Sequence, residues 1–205
     1  MIQQEYWSKK HGDNYRHIYG SLTFEQKQKV TNAVLTHYFQ VSDDSIYFEQ
    51  CLNKIPDKKL TVIELGGYDG YQAQQIQEEN PGVSWHNYDI SAVAKYLSDQ
   101  KHHGSKYIFH LLNKPFWDAI LPKADVFYTS KTIEHLTLNE VKRVLEKTQN
   151  CKWQIHIIDW FWDDDMHVIE GNQHKQIIST LKKLHYKILE SNNMIDRSYI
   201  FAVKV

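Results

Sequence analysis

Thr61-Val62-Ile63-Glu64-Leu65-Gly66-Gly67-Tyr68-Asp69-Gly70 is an apolar, β-branched run that ends in an acid and then meets three glycines. It reads as a buried strand that stops in a tight turn and opens a helix. Such a turn lets backbone N–H groups approach a ligand with no side chain in the way.

Beyond this turn, strands and helices alternate. Strand one is Leu60–Leu65 and is followed by a helix over Gly70–Glu79, stopped by Asn80-Pro81-Gly82. Strand two is Val83–Asp89, and Ser91 caps a helix whose Val93, Tyr96 and Leu97 are expected to face the core. Lys106–Leu111 and Ala124–Thr129 form strands three and four. Thr137-Leu138-Asn139-Glu140 is a capping box opening a helix with Leu138, Val141, Val144 and Leu145 on one face. Lys152–Asp159 is strand five, Ile177, Ile178, Leu181 and Leu184 mark the next helix, and Tyr186–Glu190 and Ser198–Val205 are close enough to pair antiparallel. The pattern predicts an α/β fold: a doubly wound, Rossmann-like sheet of seven strands, mostly parallel with an antiparallel final strand, and helices on both faces. Ligands of such sheets sit beyond the carboxyl ends of the strands, at the point where strand order reverses.

Before residue 58 the chain is helical in pattern. Thr23-Phe24-Glu25-Gln26 forms a possible capping box, Val30, Val34, Leu35 and Tyr38 fall on one stripe, and residues 44–54 suit a second helix. The division is therefore an N-terminal helical extension over 1–57 and one compact α/β unit over 58–205.

The 205 residues suffice for one medium domain, and 24 basic against 25 acidic residues leave a net charge of −1. The basic residues are scattered, which makes a nucleic-acid partner unlikely. Cys51 and Cys151 fit neither a metal-ligand spacing nor a disulfide framework and read as reduced packing residues. There is no apolar run of membrane-spanning length, and Met1 to Trp7 lack a signal pattern, so the expectation is a cytoplasmic protein.

The glycine turn narrows the ligand. A dinucleotide fingerprint requires G-x-G-x-x-G, but from Gly66 the later glycine positions hold Tyr68 and Tyr71, and from Gly67 they hold Asp69 and Gln72. No Gly-Lys-Ser/Thr follows, which excludes a P-loop. What remains, Glu64-Leu65-Gly66-Gly67-Tyr68-Asp69-Gly70, resembles the first motif of class I S-adenosylmethionine-dependent methyltransferases. A carboxylate there suits a cationic cofactor better than a pyrophosphate. Tyr68 departs from the family, which usually has glycine in its place.

The resemblance covers about residues 58–205 and implies a cofactor site, S-adenosylmethionine, formed by Glu64, Gly66, Gly67 and Tyr68. Asp89, 25 residues past Glu64, would accept the ribose hydroxyls, unless it only caps the helix at Ser91. Ile90 would pack on the adenine, Asn113 would meet its edge, and Ser130 and Glu134 would lie on the cofactor side. The run Ala124 to Leu136, with Glu134-His135-Leu136 after the strand, looks much like the family's fourth strand and turn. The aromatic N-terminal segment, from Tyr6-Trp7 to Tyr15 and Tyr19, resembles the lid helices of small-molecule members, though an amphipathic helix packing on the sheet has the same pattern.

Methyl transfer is an in-line displacement, for which the protein mainly supplies alignment and dryness. A hydroxyl acceptor also needs a base within reach. The catalytic candidates are His135, because imidazole titrates near neutrality, and Asp159, at the end of strand five; His167 is a third, unless it is simply an exposed loop residue. Asp163-Asp164-Asp165 and His167 raise a magnesium site, but strand four ends without the carboxylate that magnesium-dependent O-methyltransferases carry, so no metal is assigned. Neither the Pro-Cys of cytosine-carbon enzymes nor the prolines of base-amino enzymes are present. Trp160, Phe161 and Trp162 follow strand five and suit a flat or sugar-like small molecule, or else close the core. The expectation is methyl transfer to a small-molecule hydroxyl. The rivals are a non-catalytic binding or scaffold domain of the same fold, and a protein or RNA methyltransferase working with a partner.

Overall fold

The computed structural model describes residues 23–35, 45–101, 106–159, 167–193 and 197–205. Its strands are β1 (Thr61–Leu65), β2 (Ser84–Asp89), β3 (Tyr107–Leu111), β4 (Val126–Ser130), β5 (Trp153–Asp159), β6 (Tyr186–Asn193) and β7 (Arg197–Lys204). They form one seven-stranded sheet in the order β3-β2-β1-β4-β5-β7-β6. The first five run parallel, and β7 lies antiparallel between β5 and β6. Strand order reverses between β1 and β4, which opens a crevice beyond their carboxyl ends.

The described helices are α1 (Phe24–Leu35), α2 (Ser45–Lys54), α3 (Tyr71–Glu79), α4 (Ala92–Asp99), α5 (Leu138–Lys147) and α6 (His167–Lys183). Both faces of the central strands are covered, which explains their nearly unbroken apolar runs. On one face, Phe48 and Cys51 of α2 and Ile76 of α3 pack on Val62, Trp85, Tyr128 and Ile155. On the other, Val141 and Leu145 of α5 and Ile177 and Leu181 of α6 pack on Ile158 and Ile200. Cys51 and Cys151 are buried free thiols. No described helix is long and apolar enough to cross a membrane.

Both capping boxes form. Thr23 N–H donates to Gln26 Oε1 at 2.9 Å while Gln26 N–H donates to Thr23 Oγ1 at 3.3 Å, and Thr137 and Glu140 reciprocate at 3.0 and 3.3 Å. Glu140 has a second task. Its Oε1 accepts Lys27 Nζ of α1 at 2.6 Å, and Lys27 is only 6% exposed. Lys27→Met is expected to cost roughly 1–2 kcal/mol of stability, read by thermal melting, because it leaves the half-buried Glu140 carboxylate short of a partner.

Four expectations are corrected. Tyr96 points to solvent; α4 instead buries Ala94 and Ser98, small residues that let the helix lie close to Tyr107 of β3. Leu138 is exposed because it sits in the first turn of α5, ahead of the buried stripe. β6 runs on to Asn193, with a register shift between Ile188 and Glu190. His167 is the first residue of α6 rather than a loop residue. Tyr38, the aromatics from Tyr6 to Tyr19, and Trp160, Phe161 and Trp162 lie outside the described residues.

Candidate active site

The β1–α3 turn is shaped by its glycines and by the side chains beneath it. Gly66 and Gly70 each have φ of +78°, a conformation natural to glycine, and Gly70 is the N-cap of α3. Gly67 is required for space instead. A Cβ there would fall within the Glu64 carboxylate and lie 2.8 Å from Asn87 Oδ1. A Cβ at Gly66 would fall on the side chain of Thr132, which follows β4. Tyr68 adopts φ of +50°, left-handed backbone that a non-glycine residue rarely takes.

The first three N–H groups of this bend have assigned acceptors. Gly66 donates to Tyr88 O at 2.8 Å, Gly67 to Asn87 Oδ1 at 3.0 Å and Tyr68 to Asp89 Oδ2 at 3.1 Å. Asn87 Nδ2 returns a bond to Tyr68 O at 2.9 Å and a second to the Tyr107 hydroxyl at 3.1 Å. Asp69 receives Tyr71 N–H at 3.1 Å and pairs with Lys101 at 3.0 Å. The Tyr68 hydroxyl oxygen is buried without a hydrogen-bond partner among the described residues. Burial, then the charges of Asp69 and Asp89, raise its pKa.

Glu64 and Asp89 lie on the same face of neighbouring strands. Glu64 is 2% exposed and accepts the Trp85 indole N–H at 2.8 Å. Burial, opposed by that bond and reinforced by the charge of Asp89, pushes its carboxyl up to about 8. Asp89 is also buried, which pushes it up to about 6, while backbone N–H groups of Ser91, Tyr68 and Ile90 hold it down. Its bond from Ser91 N–H, at 2.8 Å, makes Asp89 a local cap as well as a site candidate. Ser91 itself caps α4 through Ala94 N–H at 3.0 Å.

The remaining predicted residues rim the same end of the sheet. Ile90 follows Asp89 and is half-buried; Asn113 follows β3 and is exposed. Ser130 ends β4, where its carbonyl accepts the Thr132 hydroxyl at 3.0 Å. Thr132 also approaches Gly66 O at 3.4 Å, so the turn after β4 is tied to the glycine turn. Glu134 is buried and His135 half-buried in the 3₁₀ turn Ile133–His135 that follows. Asp159 closes β5 opposite Arg197, and its side chain lies outside the described residues. Gln28 of α1 donates to Leu112 O at 3.1 Å, so α1 is tied to the end of β3 by Gln28 and to the start of α5 by Lys27. Among the described residues, no group of three or more His, Cys, Asp or Glu is placed to hold a metal ion.

Three residues that hold this arrangement together were not singled out in the sequence: Trp85, Asn87 and Thr132. A signal for the first two existed. Trp85, Asn87 and Asp89 alternate along β2 and so share the face of Glu64.

Residues 4–168 match the family model described as an O-methyltransferase domain. The chain belongs to that O-methyltransferase family. Its fold is shared by S-adenosylmethionine-dependent methyltransferases of known structure. Magnesium protoporphyrin IX methyltransferase from Synechocystis PCC 6803, solved with bound S-adenosylhomocysteine, is similar over 100% of this chain and 98% of its own, at 15% identity and a TM-score of 0.63. Human N-acetylserotonin methyltransferase in complex with S-adenosylmethionine is similar over 99% of this chain, at 15% identity and a TM-score of 0.57; this chain spans 58% of its length. An O-methyltransferase family 2 protein from Planctomyces limnophilus DSM 3776, in complex with apigenin, is similar over 80% of this chain and 62% of its own, at 12% identity and a TM-score of 0.55. No curated protein sequence matches the chain. For this O-methyltransferase domain, the seven-stranded order and the glycine turn at its switch point are the features that the fold class uses to position a cofactor.

Proposed function

We propose that this protein transfers a methyl group from S-adenosylmethionine to a hydroxyl of a small molecule. One observation carries the cofactor: Glu64 and Asp89 are buried beneath a glycine turn at the switch point, and neither has a cation partner among the described residues. A buried acid without a counter-charge is unfavourable in its ionised form. A ligand bearing an ammonium and a sulfonium relieves that, whereas a pyrophosphate would worsen it. When bound, S-adenosylmethionine supplies an electrophilic methyl group on a cationic sulfur.

The chain's own residues align the partners and keep them dry. In this reading Asp89 accepts the ribose hydroxyls with its remaining lone pairs. Ile90 and Asn113 flank the adenine, and Gly66, Gly67, Tyr68 and Ser130 line the amino-acid end. His135 takes the proton from the acceptor hydroxyl, and Asp159, which ends β5, is the other candidate base. The ties from α1 to Leu112 and Glu140 support α1 as part of a lid over residues 58–205.

Titration calorimetry with S-adenosylhomocysteine tests the reading. Binding in the micromolar range is expected, and an absence of heat at millimolar ligand would overturn it. Asp89→Asn is expected to weaken that binding by about ten- to a hundredfold, since charge-assisted bonds to the ribose are lost. Unchanged affinity in that variant would remove Asp89 from the site. Apigenin is a reasonable first acceptor for a turnover assay, being the flavone bound by the Planctomyces limnophilus protein.

A second reading, a non-catalytic domain of the same fold, is favoured by the Tyr68 side chain, which stands in the glycine turn on left-handed backbone with its hydroxyl buried. It predicts that the native chain binds no cofactor and that Tyr68→Gly creates affinity.

A further inference from the structure

Glu64 and Asp89 are close enough for the charge of Asp89 to act on Glu64, yet their surroundings differ in kind. Asp89 is built as an anion, with backbone N–H groups from Tyr68 at 3.1 Å and Ser91 at 2.8 Å, one on each oxygen. Glu64 has a single assigned donor, the Trp85 indole on Oε2. Gly67 closes over that oxygen so tightly that no Cβ fits.

Among the described residues, the groups facing Glu64 offer it no positive charge. From β2 come Trp85, the neutral Asn87 amide and Asp89. From β3 comes Tyr107, whose hydroxyl is engaged by Asn87 at 3.1 Å. From β4 comes Tyr128, cross-strand from Glu64, which donates to Gln72 Oε1 of α3 at 3.0 Å. From the turn come Tyr68 and Asp69, and the cation near them, Lys101, is paired with Asp69 at 3.0 Å. Two buried acids with one set of anion-stabilising donors divide into one charged and one neutral member.

We infer that Glu64 is a neutral acid in the empty crevice and a carboxylate when the cofactor's cation lies beside it, so that cofactor binding expels one proton to solvent. The inference rests on the cofactor reading above and adds a charge-sensing role for Glu64. The exchange is local: the ligand's ammonium comes to lie beside Glu64, and a proton leaves the carboxyl oxygen for solvent. The direction follows from the carboxyl standing at about 8 in the free protein. Below that pH the free form holds the proton and the complex does not, so acid opposes binding and affinity rises with pH.

The test is calorimetry with S-adenosylhomocysteine, which carries the ammonium and does not react, in two buffers of different ionisation enthalpy. The expected result is release of about one proton per ligand at pH 7 and about half at pH 8, with Kd tightening roughly tenfold from pH 6 to pH 7. In Glu64→Gln, a neutral mimic of the protonated side chain, the release should vanish. Proton-silent binding by the native protein, or release that persists in Glu64→Gln, overturns the inference while leaving the cofactor in place. A complete lack of binding overturns the cofactor reading and this inference with it. Should Glu64→Gln fail to fold, the pH dependence of the native protein's Kd decides alone.

Discussion

Gly67→Ala is expected to abolish measurable S-adenosylhomocysteine binding, a loss of about a hundredfold or more, and to lower the melting temperature by roughly 5–10 °C. The added methyl has no place to go. It lands in the Glu64 carboxylate and against Asn87 Oδ1, and neither is the free end of a flexible side chain. Glu64 is fixed by Trp85, and Asn87 bonds to Gly67, Tyr68 and Tyr107 at once. The turn must therefore lift away from β2, and Tyr68 N–H leaves Asp89 with it. A loss of one hundredfold corresponds to about 2.7 kcal/mol, in keeping with the one to three kcal/mol or so of overpacking in a close-packed site. The check is the same titration, run beside a thermal melt. Binding within threefold of the native protein would show that the turn is not part of the cofactor site.

His135→Ala is expected to have the larger effect on turnover and almost none on cofactor binding. Removing a general base lowers the rate of proton transfer by about 10²–10⁴-fold, while S-adenosylhomocysteine affinity should stay within threefold. The reason for that split is position. His135 ends the turn Ile133–His135, and that turn is tied to the glycine turn by Thr132. Production of S-adenosylhomocysteine from S-adenosylmethionine and a hydroxylated flavone is the readout. Turnover that falls less than tenfold would make His135 a wall of the pocket and leave the proton to another group.

Much of this architecture is written locally in the chain. The capping boxes at Thr23 and Thr137 form where sequence spacing puts them, because a cap needs only a side chain and a backbone N–H three residues away. Strands β1, β2, β3 and β5 end at Leu65, Asp89, Leu111 and Asp159 as read from the sequence, since each apolar run gives way there to turn residues. Burial on α4 was misread because Tyr96 is apolar enough to count as core, while the face of the helix is set by the close approach of Ala94 and Ser98. The environment of Glu64 was legible only in the alternation of Trp85, Asn87 and Asp89 along β2. It depends on Trp85, a residue 21 positions away that reads as core until β2 is laid beside β1. The same holds for Thr132, whose contact with Gly66 crosses from β4 to β1 and has no local signature.

The bond from the Trp85 indole to Glu64 makes the crevice optically addressable. Trp85 is wholly shielded from water, so its emission reports on its immediate neighbours rather than on solvent. A carboxyl that gains a full negative charge 2.8 Å from the indole nitrogen shifts that emission, and the difference spectrum between the native protein and Trp85→Phe isolates it from the other five tryptophans. Ligand entry then becomes visible in a cuvette, without radiolabel and before any methyl acceptor is known.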